Sequence, residues 1–219
     1  MKSLFITATN TNVGKTYTTL KLLDYYSDLG YKVGVFKPIE TGVFDKPDDA
    51  ALLLKKASKL NLHFKNFTTD DICPIQLKLP AAPYVSSGLK DIDLDIIFTQ
   101  AKKLQQFCDI LLIEGAGGLL VPINKNYFLI DLLKDLQAYP LLVTHDKLGC
   151  INDTLLNLEL LNKYDLNYTW CVNVREKKSF SKITLPFYKN YFKGVYTLQE
   201  HLPQIAQELI TNSHSNRNT

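Results

Sequence analysis

The chain has 219 residues, 46% of them hydrophobic and 21% charged, a globular balance long enough to bury one sizeable α/β core. Its formal net charge of +3 is too small to argue for nucleic acid or a membrane surface as a partner. The longest apolar runs are strand-sized, which excludes a membrane-spanning helix, and the start of the chain lacks a leader pattern, which predicts the cytoplasm.

Predicted strands and helices alternate along the chain. The first strand covers residues 4–9, and the segment 8–16 that follows reads Ala-Thr-Asn-Thr-Asn-Val-Gly-Lys-Thr. A helix is predicted over 16–29. Strand, loop and helix with Gly-Lys-Thr at the helix start is the context of a phosphate-binding P-loop, although Thr9 stands where the common pattern has its first glycine. Backbone N–H groups and the helix dipole favour an anion there. Lys15 would reach the β- and γ-phosphates, and the Thr16 hydroxyl would ligate Mg²⁺. A bare Gly-Lys-Thr also opens ordinary capped helices; the strand before it is what favours the phosphate reading.

The second strand, 32–38, ends in Phe36-Lys37-Pro38-Ile39-Glu40-Thr41-Gly42. A lysine at the tip of a buried strand suits a second anion clamp, or a side chain reaching for solvent. Thr41 and Gly42 form a turn that could meet a substrate. A helix over 48–60 opens with Asp48 and Asp49, where a carboxylate caps the helix or completes a Mg²⁺ site. Residues 65–92, rich in Pro, Ser and Asp, read as a long insertion over one sheet edge. A helix over 94–107 leads to the strand 110–114, a continuous apolar run ending in Glu114-Gly115-Ala116-Gly117-Gly118. An apolar strand ending in a carboxylate is the second element of P-loop enzymes, where the acid holds Mg²⁺.

Further on, a helix over 129–137, a strand over 141–145 and a helix over 151–164 flank Lys147-Leu148-Gly149-Cys150-Ile151-Asn152, a second anion site or simply a capped helix. Strands at 168–174 and 194–196, and helices near 183–191 and 202–211, complete the pattern. Unalternating apolar strands are buried on both faces, so the fold class is α/β: a doubly wound, mostly parallel sheet flanked by helices in a single domain, 1–212. The polar stretch 213–219 is expected to be a disordered tail. Four cysteines without C-x-x-C spacing and four histidines without ligand spacing argue against a disulfide framework or a soft-metal site.

Taken together, Val13-Gly14-Lys15-Thr16, Lys37-Pro38-Ile39-Glu40-Thr41-Gly42, Asp49-Ala50, Pro80-Ala81-Ala82-Pro83, Glu114 to Gly118 and Lys147 to Asn152 resemble, in order, the motifs of dethiobiotin synthetases. The resemblance implies an ATP-dependent ligase of biotin biosynthesis that converts 7,8-diaminononanoate and CO₂ or bicarbonate to dethiobiotin. It implies Lys37, Lys15 and Thr11 in catalysis, and Asn12, Val13, Gly14, Lys15, Thr16, Tyr17 and Asn173 around the nucleotide, with Asn173 the candidate base-reading residue. Thr16, Asp49 and Glu114 match the Mg²⁺ ligands. Thr41 and Gly117 would meet the substrate, whose carboxylate would be held by Leu148, Gly149, Cys150, Ile151 and Asn152 of a second subunit in a homodimer. The chain departs from the family pattern at Ala8, at Asn12, at Asn173-Val174 and at Gly194-Val195-Tyr196-Thr197, which lacks a proline. Two other readings share this fold, a cobyrinate-type ligase and a nucleotide-switch ATPase of the positioning kind. The latter carries an early-loop lysine absent from Ala8-Thr9-Asn10.

Overall fold

The structure is a computed structural model and describes residues 1–213. A five-stranded, wholly parallel sheet forms its centre, in the order β2-β5-β1-β8-β9. The strands are β1 (Lys2–Ala8), β2 (Val33–Phe36), β5 (Ile110–Glu114), β8 (Tyr139–His145) and β9 (Thr169–Asn173). Every residue of β2 and β5 is buried, which explains why their sequences show no polar alternation.

Helices cover the sheet. Between β1 and β2 runs α1 (Lys15–Asp28), which buries Leu22, Leu23 and Tyr26 against the sheet layer. The short β3 (Ile39–Thr41) precedes α2 (Asp48–Leu60), which packs on α1 and β2. Residues 65–92, read from sequence as an insertion, contain α3 (Thr69–Ile72), β4 (Ile75–Leu77) and α4 (Pro83–Ser86). Here β4 pairs with β3 in parallel, so the segment builds a small second sheet beside the tip of β2. Next, α5 (Asp95–Gln105) presents Ile97, Ala101 and Leu104, at helical spacing, to β2 and β5. After β5, the antiparallel pair β6 (Pro122–Asn124) and β7 (Tyr127–Phe128) leads into α6 (Leu129–Asp135). The rest is α7 (Cys150–Lys163), α8 (Lys177–Ile183), α9 (Leu185–Tyr191) and α10 (Leu202–Asn212), the last packed on α1, β8 and β9.

Three expectations need correction. Residues 194–196 form no strand; the main chain only bridges Thr197 to Val172 at the edge of β9, because Tyr196 O and Leu198 N both pair with that single residue. The helix expected near 183–191 starts two residues later, as α9, and a helix not expected from sequence, α8, precedes it; the two are divided at Thr184, where Pro186 in the first turn of α9 removes a donor. The strand expected over 32–38 ends at Phe36, since Lys37 N turns away to Ile72 O, 2.9 Å. Of the expected tail 213–219, only Ser213 is described, and it sits at the end of α10 with Oγ donating to Ile210 O; 214–219 lie outside the described residues. All four cysteines are buried and unpaired. Among the described residues no helix is long and apolar enough to cross a membrane.

Register decides what meets at the carboxyl ends of the strands, where open α/β sheets bind ligands. Ile6 of β1 faces Glu114 of β5, so Glu114 stops two residues short of the end of β1 and lies beneath the loop that follows Ala8. On the other side His145 faces Asn173, so β9 ends level with β8.

Candidate functional site

The loop from Ala8 to Gly14 turns the chain from β1 into α1. Its bend uses two left-handed residues, Asn12 (φ 59°) and Gly14 (φ 115°). Asparagine tolerates that region. At Gly14 the requirement is strict, because a Cβ there would lie 2.2 Å from Asn173 Nδ2. Lys15 opens α1 with its side chain curled back over the loop, Nζ donating to Asn10 O at 3.3 Å. Burial and the neighbouring Lys37 lower its pKa to about 8, despite the opposing pull of Glu114 and Asp49.

Below this loop the tips of β2 and β5 and the start of α2 converge. Lys37 Nζ lies 2.7 Å from Glu114 Oε1 and 3.3 Å from Asp49 Oδ2, and also donates to Gly115 O at 3.2 Å. Burial alone would lower the Lys37 ammonium, but the two carboxylates outweigh it and hold the group above its ordinary value. The lysine therefore does not reach for solvent; it is 3% exposed. Thr16 Oγ1 sits 2.9 Å from Glu114 Oε1 and 3.0 Å from Asp49 Oδ1, while Thr19 Oγ1 donates to Glu114 Oε2 at 3.0 Å.

The donor set fits a hard divalent cation. Thr16 has one hydroxyl hydrogen and two carboxylate oxygens within hydrogen-bond distance, so it can donate to only one of them. The surplus lone pairs of Thr16, Asp49 and Glu114 are the oxygen ligands that Mg²⁺ prefers. The set is two carboxylates and one hydroxyl; no group of three or more His, Cys, Asp or Glu with ligand geometry occurs among the described residues.

Neither Asp48 nor Asp49 caps α2, whose N-cap is Pro47. Glu40 of β3 does this instead, its two oxygens accepting from Asp49 N and Ala50 N, each at 3.0 Å. Burial raises the Glu40 pKa while those two N–H groups pull it down. The cap leaves the Asp49 side chain free to face Lys37 and Thr16.

A cavity of about 380 Å³ opens above this cluster. Of the expected site residues, Thr11, Asn12, Lys15, Lys37, Thr41, Asp49 and Gly117 line it, and Pro80 to Pro83 form one wall. Thr16 and Glu114 stand behind that lining, joined to it through Asp49 and Lys37. Val13 is buried, with its carbonyl accepting from Asn173 Nδ2 at 2.8 Å. Tyr17 lies elsewhere, 45% exposed in a groove between α1 and α2. Leu148, Gly149, Cys150, Ile151 and Asn152 do not line the cavity. They form the turn into α7: Leu148 is fully exposed, Gly149 is the left-handed N-cap and Cys150 is buried beside Thr184.

Sequence reasoning missed Thr19, Glu40 as a cap, and a group just after β8 and beyond β9. Thr19 sits one turn after Thr16, so helical spacing would have shown it. Asp146, Arg175 and Gln199 carried no local signal, because they act on the loop from distant positions in the chain.

A family model described as an AAA domain matches residues 2–183. A curated protein of Sulfurovum sp., "ATP-dependent dethiobiotin synthetase BioD", is 49% identical over 95% of this chain and all of its own length. The protein of the same name from Wolinella succinogenes is 43% identical over 96% of this chain and 99% of its own. Among solved structures, a plasmid partition protein from Borrelia burgdorferi aligns over 97% of this chain and 99% of its own, with a TM-score of 0.56 at 13% identity. MinD from Aquifex aeolicus covers 95% of this chain and 87% of its own, with a TM-score of 0.52 at 16% identity. Those two likenesses establish the doubly wound P-loop fold alone. With near-complete coverage at 49% identity, the chain belongs to the family of ATP-dependent dethiobiotin synthetases.

Proposed function

We propose that the chain closes the ureido ring of dethiobiotin from 7,8-diaminononanoate and CO₂, using ATP and Mg²⁺. One observation carries this reading: Lys15, Lys37, Asp49 and the residues behind them surround a single cavity, with cations and carboxylates within hydrogen-bond distance of one another. Diaminononanoate, CO₂ or bicarbonate and ATP are the reactants, and ADP and phosphate leave with dethiobiotin.

In this proposal one amine of the substrate adds to CO₂ and loses a proton, giving a carbamate. A carbamate oxygen attacks the γ-phosphorus and ADP departs, leaving a carbamic-phosphoric anhydride. The second amine attacks the carbonyl carbon, its proton is lost and phosphate leaves. Two anions must meet for the middle step. Lys15 and Lys37 lower their repulsion and the charge on the transferring phosphoryl group. Mg²⁺, when held by Thr16, Asp49 and Glu114, adds a Lewis acid at the phosphates. Thr11, Thr41 and Gly117 line the same cavity and serve to hold the amine or carbamate. Asn12 to Tyr17 and Asn173 are assigned to the nucleotide. No covalent nucleophile is required, since positioning supplies the rate.

The turn from Leu148 to Asn152 does not line this cavity, and we assign it, on the family resemblance, to the substrate carboxylate of a second subunit in a homodimer. We take residues 1–212 as one functional unit, working in the cytoplasm.

The test incubates the pure protein with diaminononanoate, bicarbonate, Mg²⁺ and ATP. Mass spectrometry should find a product heavier than the diamine by one carbonyl minus two hydrogens. ATP hydrolysis without that product would favour a nucleotide switch on the same fold.

A further inference from the structure

The carbonyl groups of the phosphate loop are held from outside the loop. Asn173, the last residue of β9, donates from Nδ2 to Val13 O at 2.8 Å. Its other end, Oδ1, accepts from Gln199 Nε2 at 2.8 Å. Two residues further, Arg175 Nη2 donates to Asn12 O at 2.7 Å. Arg175 is itself anchored: the buried Asp146, after β8, accepts from the backbone N–H groups of Arg175 and Glu176, both at 2.6 Å.

These contacts have a direct geometric effect. In a trans peptide the carbonyl of one residue and the N–H of the next lie in one plane and point in opposite directions. Drawing Asn12 O toward Arg175 therefore turns Val13 N–H the other way. Drawing Val13 O toward Asn173 does the same for Gly14 N–H. Among the described residues, neither of those N–H groups donates to a protein acceptor. Successive N–H groups aimed to one side through a left-handed residue form an anion-binding concavity. Asn12 and Gly14 are the left-handed residues here.

We infer that Asn173 and Arg175 are positioning residues that hold the Asn12 and Val13 carbonyls so that the Val13 and Gly14 N–H groups face the nucleotide phosphates. The inference rests on the proposed nucleotide role of the loop and adds to it. It assigns the amide of Asn173 to the loop rather than to the base, so its effect is the same for every nucleotide.

Inorganic tripolyphosphate, which has no base or ribose, separates the two roles. Binding of ATP, GTP and tripolyphosphate, each with Mg²⁺, is measured by calorimetry for the wild type, Asn173→Ala, Arg175→Ala and Arg175→Lys. Each alanine variant should weaken all three ligands by one common factor of about fivefold, the worth of a hydrogen bond to a polarised group. Arg175→Lys keeps a donor and should recover most of the loss. In turnover, KM for ATP should rise by that factor while KM for the diamine stays unchanged. Loss of ATP affinity with tripolyphosphate affinity kept would show that Asn173 reads the base, and would overturn the inference. Unchanged binding of all three ligands by folded variants would overturn it too. Wild-type protein that binds neither ATP nor tripolyphosphate would instead remove the nucleotide reading of the loop, and the clamp with it.

Discussion

Lys37 Nζ and Glu114 Oε1 are 2.7 Å apart at the tips of two adjacent parallel strands, with the Glu114 side chain completely buried. Removing either leaves the other buried with weaker partners, Asp49 and Gly115 O for Lys37 and the Thr16 and Thr19 hydroxyls for Glu114. Breaking a buried pair by truncating one partner costs about 3 kcal/mol or more. Lys37→Ala should therefore lower stability by about that amount and reduce turnover by a factor on the order of 10³, the scale of losing one preorganised charge at a transition state. Thermal unfolding beside steady-state rates will show both, and activity near wild type would remove Lys37 from the chemistry.

Glu114→Gln keeps the shape of the side chain and discards its charge. The amide oxygen can stay on Lys37 and Thr16 while the amide nitrogen donates to the Thr19 hydroxyl, which in turn donates to Lys15 O, so the fold should survive. The Mg²⁺ concentration for half-maximal activity should rise about tenfold or more, as for other disturbed metal shells. A Mg²⁺ titration of the variant that overlays the wild type would exclude Glu114 as a ligand.

The lowered pKa of Lys15 sets a pH dependence. Its folded value of about 8 lies below the ordinary 10.5, so between those values the unfolded chain binds more protons than the folded one. Stability from this group thus rises with pH across that window. ATP works in the opposite direction: bound phosphates favour the charged lysine, so binding above pH 8 takes up a proton and weakens as pH rises. Calorimetry in buffers of different ionisation enthalpy should reveal that uptake, and Lys15→Met should abolish it.

Gly14→Ala should be costly for two separate reasons. Its φ of 115° is unfavourable for alanine, and the added Cβ would push Asn173 from the loop. A loss of about 2 kcal/mol in stability is expected from backbone strain of this kind, with weakened ATP binding. Equal melting temperatures for variant and wild type would show that the loop relaxes without cost.

Leu148 is an apolar side chain with no cover in the isolated chain. If the turn it belongs to is shared between two subunits, Leu148→Asp should shift the protein toward monomer in sedimentation and raise KM for the diamine with ATP binding intact. A dimer of unchanged strength would move the interface elsewhere.

The fold and most of the site were legible in the chain itself. Continuous apolar runs such as Ile110 to Ile113 read as strands covered on both faces, and the lysine and glutamate ending such runs read as an anion clamp and a Mg²⁺ ligand; that the two pair with each other came from the structure. Local chemistry also named Gly14, since Gly-Lys-Thr after a strand requires it. What the sequence could not show were partnerships across long separations. Glu40 caps α2 because β3 lays it there, 9 and 10 residues before the N–H groups it accepts from. Arg175 meets Asn12 across 163 residues because β9 ends level with β8 and close to the phosphate loop. Periodicity and motif spacing report on neighbours along the chain. Sheet order and register, which follow from the packing of the whole core, decide which strand ends become neighbours in space, and so which side chains hold the loop.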